Sequence, residues 1–111
     1  MNFSEFNLNN KIQAGIDACG YNSPTSVQEE TIPPAIQGRD VIGLAQTGTG
    51  KTAAFVLPIL QNLVSSKRGK IKSLILSPTR ELAEQTLDSV VALGKKTGVR
   101  GVSVYGGVSK Y

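Results

Sequence analysis

Apolar side chains in the first third of the chain recur at helical spacing. Leu8, Ile12, Ile16 and Cys19 fall on one face, so residues 9–19 read as a short amphipathic helix that Gly20 ends. A second helix opens near Thr25 or Ser26, because Thr25 with Gln28, and Ser26 with Glu29, both have capping-box spacing. Pro33 and Pro34 interrupt it and leave room for a short helical piece to restart, since proline suits a first helical turn. Residues 38–40 form a turn.

The pattern then changes. Residues 41–45 are a short apolar run, read as a buried strand. A loop with two glycines leads into a helix from Lys51 to about Val64. That helix is apolar on nearly every side, so it should be buried, and Pro58 should kink it. Residues 65–72 are a basic surface loop carrying Lys67, Arg68, Lys70 and Lys72. Residues 73–77 read as a second buried strand. Ser77 then caps a long helix whose first residue is Pro78, with Leu82, Ala83, Thr86, Leu87, Val90 and Val91 facing inward. Gly94 or Gly98 ends it, and residues 99–105 form a third strand closed by Gly106 and Gly107. This order predicts an α/β unit with a parallel sheet, flanking helices and right-handed crossovers.

Composition narrows the chemistry. At 111 residues the chain is one domain at most, with a modest core. Apolar residues at 40% and charged residues at 18% exclude a disordered or coiled-coil chain. Histidine is absent and cysteine occurs once, which removes zinc clusters, disulfide frameworks and Ser-His-Asp or Cys-His catalysis. The net charge of +4 suits a polyanionic partner, but equally a soluble protein with a small lysine surplus. The longest apolar run, residues 53–60, is far short of the ~20 residues that span a bilayer, so no membrane partner is expected. The first ten residues lack the basic and apolar blocks of a signal peptide, and the lone Cys19 agrees with a cytoplasmic location.

The strongest chemical signal is the run Ala45, Gln46, Thr47, Gly48, Thr49, Gly50, Lys51, Thr52. It fits the phosphate-binding P-loop with alanine in place of the first glycine. Gly48 and Gly50 let the backbone turn its N–H groups inward around phosphate oxygens. The helix that follows directs its positive end at the same oxygens. Lys51 reaches the terminal phosphates, and the Thr52 hydroxyl can ligate Mg²⁺ together with the nucleotide. Lys51 and Thr52 are therefore the catalytic candidates. The plain alternative, a Gly-Thr turn with a chance lysine, fits poorly between a predicted strand and a predicted helix. The loop implies a nucleoside triphosphate but does not choose between a kinase, a GTPase, an ATPase motor and a helicase.

Three more segments bear on that choice: residues 20–28 with Phe3 upstream, residues 78–85, and Gly106 with Gly107. In this order, around a P-loop written AQTGTGKT, the chain resembles the N-terminal part of the first RecA-like domain of a DEAD-box ATP-dependent RNA helicase, over nearly its whole length. The resemblance implies an incomplete RecA-like P-loop NTPase fold. Residues 1–38 would be a helical segment with the Q motif, and residues 39–111 a partial ATP-binding core, together one cut-down domain. It implies ATP and Mg²⁺ as cofactors, and RNA held by its sugar-phosphate backbone irrespective of sequence. Gln28 would read adenine, since one carboxamide offers both a donor and an acceptor to N6 and N7; completing a capping box with Thr25 is the competing role. Phe3 would stack on the base, or else cover the first helix. Tyr21 stands where the family has Phe or Tyr, or is core, and Thr25 would support the P-loop. Pro78, Thr79 and Arg80 match the motif that holds the RNA backbone, although Arg80 could be a plain surface arginine. Gly106 and Gly107 would let RNA approach the backbone closely, or simply end a strand.

Beyond that point the family continues with Asp-Glu-Ala-Asp, Ser-Ala-Thr and a second, C-terminal helicase domain. No Asp-Glu pair occurs in these 111 residues. The expectation is an ATP-binding helicase segment without ATPase or unwinding activity of its own, because phosphoryl transfer needs those groups. The alternatives are a non-catalytic nucleotide- or RNA-binding module and, more remotely, a stand-alone P-loop kinase or GTPase.

Overall fold

The elements begin where side chains can satisfy exposed helix-end amides. The computed structural model describes residues 1–46, 48 and 50–106. Phe3–Phe6 form a 3-10 helix, followed by α1 (Asn10–Ala18), α2 (Ser26–Ile36), α3 (Lys51–Leu63) and α4 (Arg80–Leu93). Asn9 caps α1 by accepting from the Lys11 N–H at 2.9 Å. Thr25 and Gln28 close a reciprocal capping box on α2. Thr79 caps α4 by accepting from the Leu82 N–H at 3.1 Å. The cap is thus Thr79 and the first helical residue Arg80, rather than the expected Ser77 and Pro78: the Thr79 hydroxyl lies three residues before an amide that needs it.

Two further expectations are corrected. α2 runs without interruption through Pro33 and Pro34. The carbonyls that lose their donors belong to Glu29 and Glu30, both exposed residues, so water can replace the missing N–H groups. The parallel sheet is not formed: among the described residues, segments 41–45, 73–77 and 99–105 contain no strand. A strand needs a neighbour for its N–H and C=O groups, and none of the three pairs with another.

The core lies between the helices. Phe3, Ile12, Ile16, Ile32, Val56, Leu57, Leu60 and Leu93 are buried in one cluster. Each such side chain contributes on the order of 1.5–3 kcal/mol. Segments 1–38 and 39–111 both supply members of this core. α1 and α4 approach closely at Gly15, where any Cβ would overlap the Leu93 carbonyl. The inner face of α4 is narrower than expected. Thr86 and Leu93 are buried, whereas Leu82 and Val91 stay exposed, as does Phe55 on α3. α2 and α3 make the most extensive helix pair, which sets their N-termini side by side. Among the described residues no helix is long and apolar enough to cross a membrane.

The basic loop after α3 differs in part from its expected solvated role. Arg68 donates to the carbonyls of Leu63 and Ser66, both at 3.0 Å, and to that of Thr97 at 2.7 Å. It neutralises the C-terminal end of α3 and ties it to the turn after α4.

Candidate functional site

The N-terminus of α3 differs from those of the other helices. Its N-cap, Gly50, has φ 84° and no side chain with which to cap the first-turn amides. Gly48 has φ 83°, likewise in the left-handed region that favours glycine. Lys51, the first helical residue, is exposed, and Thr52 is half-buried. With Gly48 and Gly50 they line an open cleft of about 1140 Å³ whose wall includes Tyr21 and Phe55. Ala45 is half-buried and Gln46 exposed, while Thr47 and Thr49 lie outside the described residues.

Gln28 joins two elements. Its Oε1 accepts from the Thr25 N–H at 3.0 Å, and its Nε2 donates to the Gly50 carbonyl at 3.1 Å. The side chain is 3% exposed. The capping role is therefore present, and the same carboxamide also fixes the turn that opens α3. One N–H and one lone pair remain beyond those two bonds. Thr25 packs there too: a Cβ built on Gly50 would lie 2.5 Å from Gln28 Nε2 and 3.2 Å from Thr25 Oγ1.

The aromatic residues are arranged by the end of α1. Gly20, at φ 77°, donates to the Asp17 carbonyl at 3.0 Å, and the Tyr21 N–H donates to that of Ile16 at 3.3 Å. This Schellman arrangement turns the chain sharply. It sets Tyr21 with its ring centroid 5.9 Å from that of Phe3, which also meets Phe6 edge-on at 5.9 Å. Phe3 is 2% exposed, whereas Tyr21 is 40% exposed.

The residues assigned to RNA lie beside this cleft, which Ser77 and Leu82 line. Pro78, Thr79, Arg80 and Gly106 are exposed and do not line it. The Arg80 guanidinium carbon sits 5.6 Å from the Tyr105 ring centroid. Gly107 lies outside the described residues. No cluster of three or more His, Cys, Asp or Glu among the described residues could hold a metal ion unaided. A divalent ion here would need the oxygens of a bound phosphate, with Thr52 as the protein's hydroxyl.

Sequence reasoning did not find the Gln28–Gly50 bond, the Arg68 cap or the Arg80–Tyr105 contact. Only Arg68 had a local signal, a basic residue just past a helix end. The other two join residues far apart in the chain.

The profile of the DEAD/DEAH box helicase family matches residues 25–111. The chain belongs to this family. It is 51% identical over 107 residues to the ATP-dependent RNA helicase CshA of Limosilactobacillus reuteri, covering 96% of this chain and 21% of that protein. It is 48% identical to the DEAD-box ATP-dependent RNA helicase RhpA of Helicobacter pylori, strain B128, with coverage of 96% and 21%. Among solved structures it resembles the RNA helicase Prp28 of Chaetomium thermophilum bound to ADP. The TM-score there is 0.87 at 40% identity, over 97% of this chain and 27% of that one. The chain thus spans about a fifth of the length of these curated DEAD-box relatives.

Proposed function

We propose that this chain is the ATP-binding and RNA-contacting N-terminal part of an ATP-dependent RNA helicase, whose full activity couples ATP hydrolysis to RNA remodelling. The observation that carries the reading is the bond from Gln28 to Gly50. A base-reading carboxamide and a phosphate-cradling helix end are held as one unit. The first-turn amides of α3 and Lys51 bind the phosphates, and Thr52 contributes a hydroxyl to Mg²⁺, which neutralises phosphate charge when bound. Tyr21, in the cleft wall and backed by the buried Phe3, covers the base. Thr25 holds Gln28 and Gly50 in register. Pro78, Thr79, Arg80, Gly106 and Gly107 contact the RNA backbone.

In the complete protein, segments 41–45, 73–77 and 99–105 become strands of a parallel RecA-like sheet, and a C-terminal helicase domain completes the catalytic site. The kinase and GTPase alternatives lose their ground with family membership.

The test is a titration with labelled ATP and GTP. We expect ATP to bind at least about fivefold more tightly, since a bidentate pair discriminates by about 1–3 kcal/mol. Gln28→Ala should erase the ratio even where both affinities fall through loss of the cap. Equal affinity of the unaltered protein for both nucleotides would overturn adenine reading by Gln28.

A further inference from the structure

We propose that Tyr105 is a positioning residue for Arg80, holding its guanidinium in the orientation that meets an RNA phosphate. The inference rests on the assignment of Arg80 to RNA made above. The Arg80 Cζ lies 5.6 Å from the ring centroid, within the ~6 Å over which a cation is attracted to a π face.

The pairing belongs to a register rather than to one chance contact. Residues 80, 84 and 87 share one face of α4 at i, i+4 and i+7. Residues 101, 103 and 105 alternate as on one side of a strand. A Cβ on Gly101 would lie 3.0 Å from Leu87 Cδ1 and 3.5 Å from Val90 Cγ1. Ser103 donates its hydroxyl to the Glu84 carboxylate. Tyr105 then meets Arg80, so each step of two residues along the segment matches one turn of the helix. The Ser103 bond also engages the carboxylate that stands one turn from Arg80, where it would otherwise be placed to compete for the guanidinium.

The geometry suits phosphate binding. The ring face attracts the cation but offers no lone pair, so it can steady the guanidinium without supplying the oxygen acceptors that a phosphate brings. Arg80 is exposed and in the first turn of α4, where the helix end also favours an anion. Fixing a long, mobile side chain in advance reduces the ordering cost of binding.

The experiment measures affinity of the full-length protein for single-stranded RNA across a salt series, with ATP affinity measured separately without RNA. Arg80→Ala should weaken RNA binding about tenfold and lower the salt slope by about one. Tyr105→Leu should weaken it about threefold at unchanged ATP affinity, and Tyr105→Phe, which keeps the π face, should match the unaltered protein. The double variant Arg80→Ala with Tyr105→Leu should bind no worse than Arg80→Ala alone. Unchanged RNA affinity in Tyr105→Leu, or additive losses in the double variant, overturns the proposal. So does a loss in Tyr105→Phe as large as that in Tyr105→Leu, a comparison that stands even where leucine disturbs folding. Unchanged affinity and salt slope in Arg80→Ala would instead remove the RNA role of Arg80 on which the inference rests.

Discussion

Gly50 meets two demands that no other residue type meets together. Its φ of 84° lies in the left-handed region, and the space a side chain would fill is already held by Gln28 and Thr25. Gly48 has a φ of 83° but nothing within 4 Å of the position of a Cβ. Gly50→Ala should therefore cost about 1–3 kcal/mol of stability and sharply weaken ATP binding, read by thermal melting and nucleotide titration. Gly48→Ala should show backbone strain alone and the smaller stability loss; equal losses would remove the role of the Gln28 contact. The glycines and Lys51 were legible because the phosphate-loop spacing is local. The Gln28–Gly50 bond was not, because it spans 22 positions and depends on how α2 packs against α3. Likewise, no spacing rule distinguishes the covered Phe3 from the exposed Tyr21; the turn at Gly20 does that.

All four α-helices were legible in the sequence, α1 and α4 from apolar spacing, the start of α2 from its capping box and α3 from the apolar run after the glycine loop, yet their ends were decided by individual polar groups. The start of α4 moved two residues because the Thr79 hydroxyl serves an amide that Ser77 does not reach. α2 continues through two prolines because the carbonyls left without donors are accessible to water. Arg68 shows the same logic at a C-terminus, where one guanidinium serves carbonyls from α3 and from the turn after α4. Arg68→Ala should lower stability by about 1–3 kcal/mol in urea unfolding, since several carbonyls lose a charged donor at once. Lys67→Ala, in the same loop, should stay within about 0.5 kcal/mol. Comparable losses in the two variants would mean that Arg68 acts only through net charge.

The helices make a core, but the apolar segments 41–45 and 99–105 meet it on one side only. Gly43 faces Val27 and Thr31 of α2, while Gly101, Ser103 and Tyr105 face α4. The alternate positions are open: Ile42 is 90% exposed, Leu44 92%, Leu74 80%, Leu76 86%, Val102 84% and Val104 70%. The apolar runs were legible, but the buried strands expected of them are absent here, since hydrogen bonds between strands depend on which segments become neighbours. So many exposed apolar side chains should bind the dye ANS and drive self-association of the 111-residue chain. Leu74→Lys with Leu76→Lys should reduce both, leaving helix content by circular dichroism unchanged; loss of helix with the substitutions would show that this face already supports the core.

The bare face has a consequence during synthesis. This stretch matches the N-terminal part of relatives about five times as long, so in them it leaves the ribosome first. At roughly 5–20 residues per second, the rest of such a polypeptide takes tens of seconds to follow. Through that interval positions matching Leu74, Leu76, Val102 and Val104, exposed in this chain, would stand beside neighbouring nascent copies on the same messenger. Exposed apolar surface of this kind makes a growing chain prone to aggregation until later residues cover it.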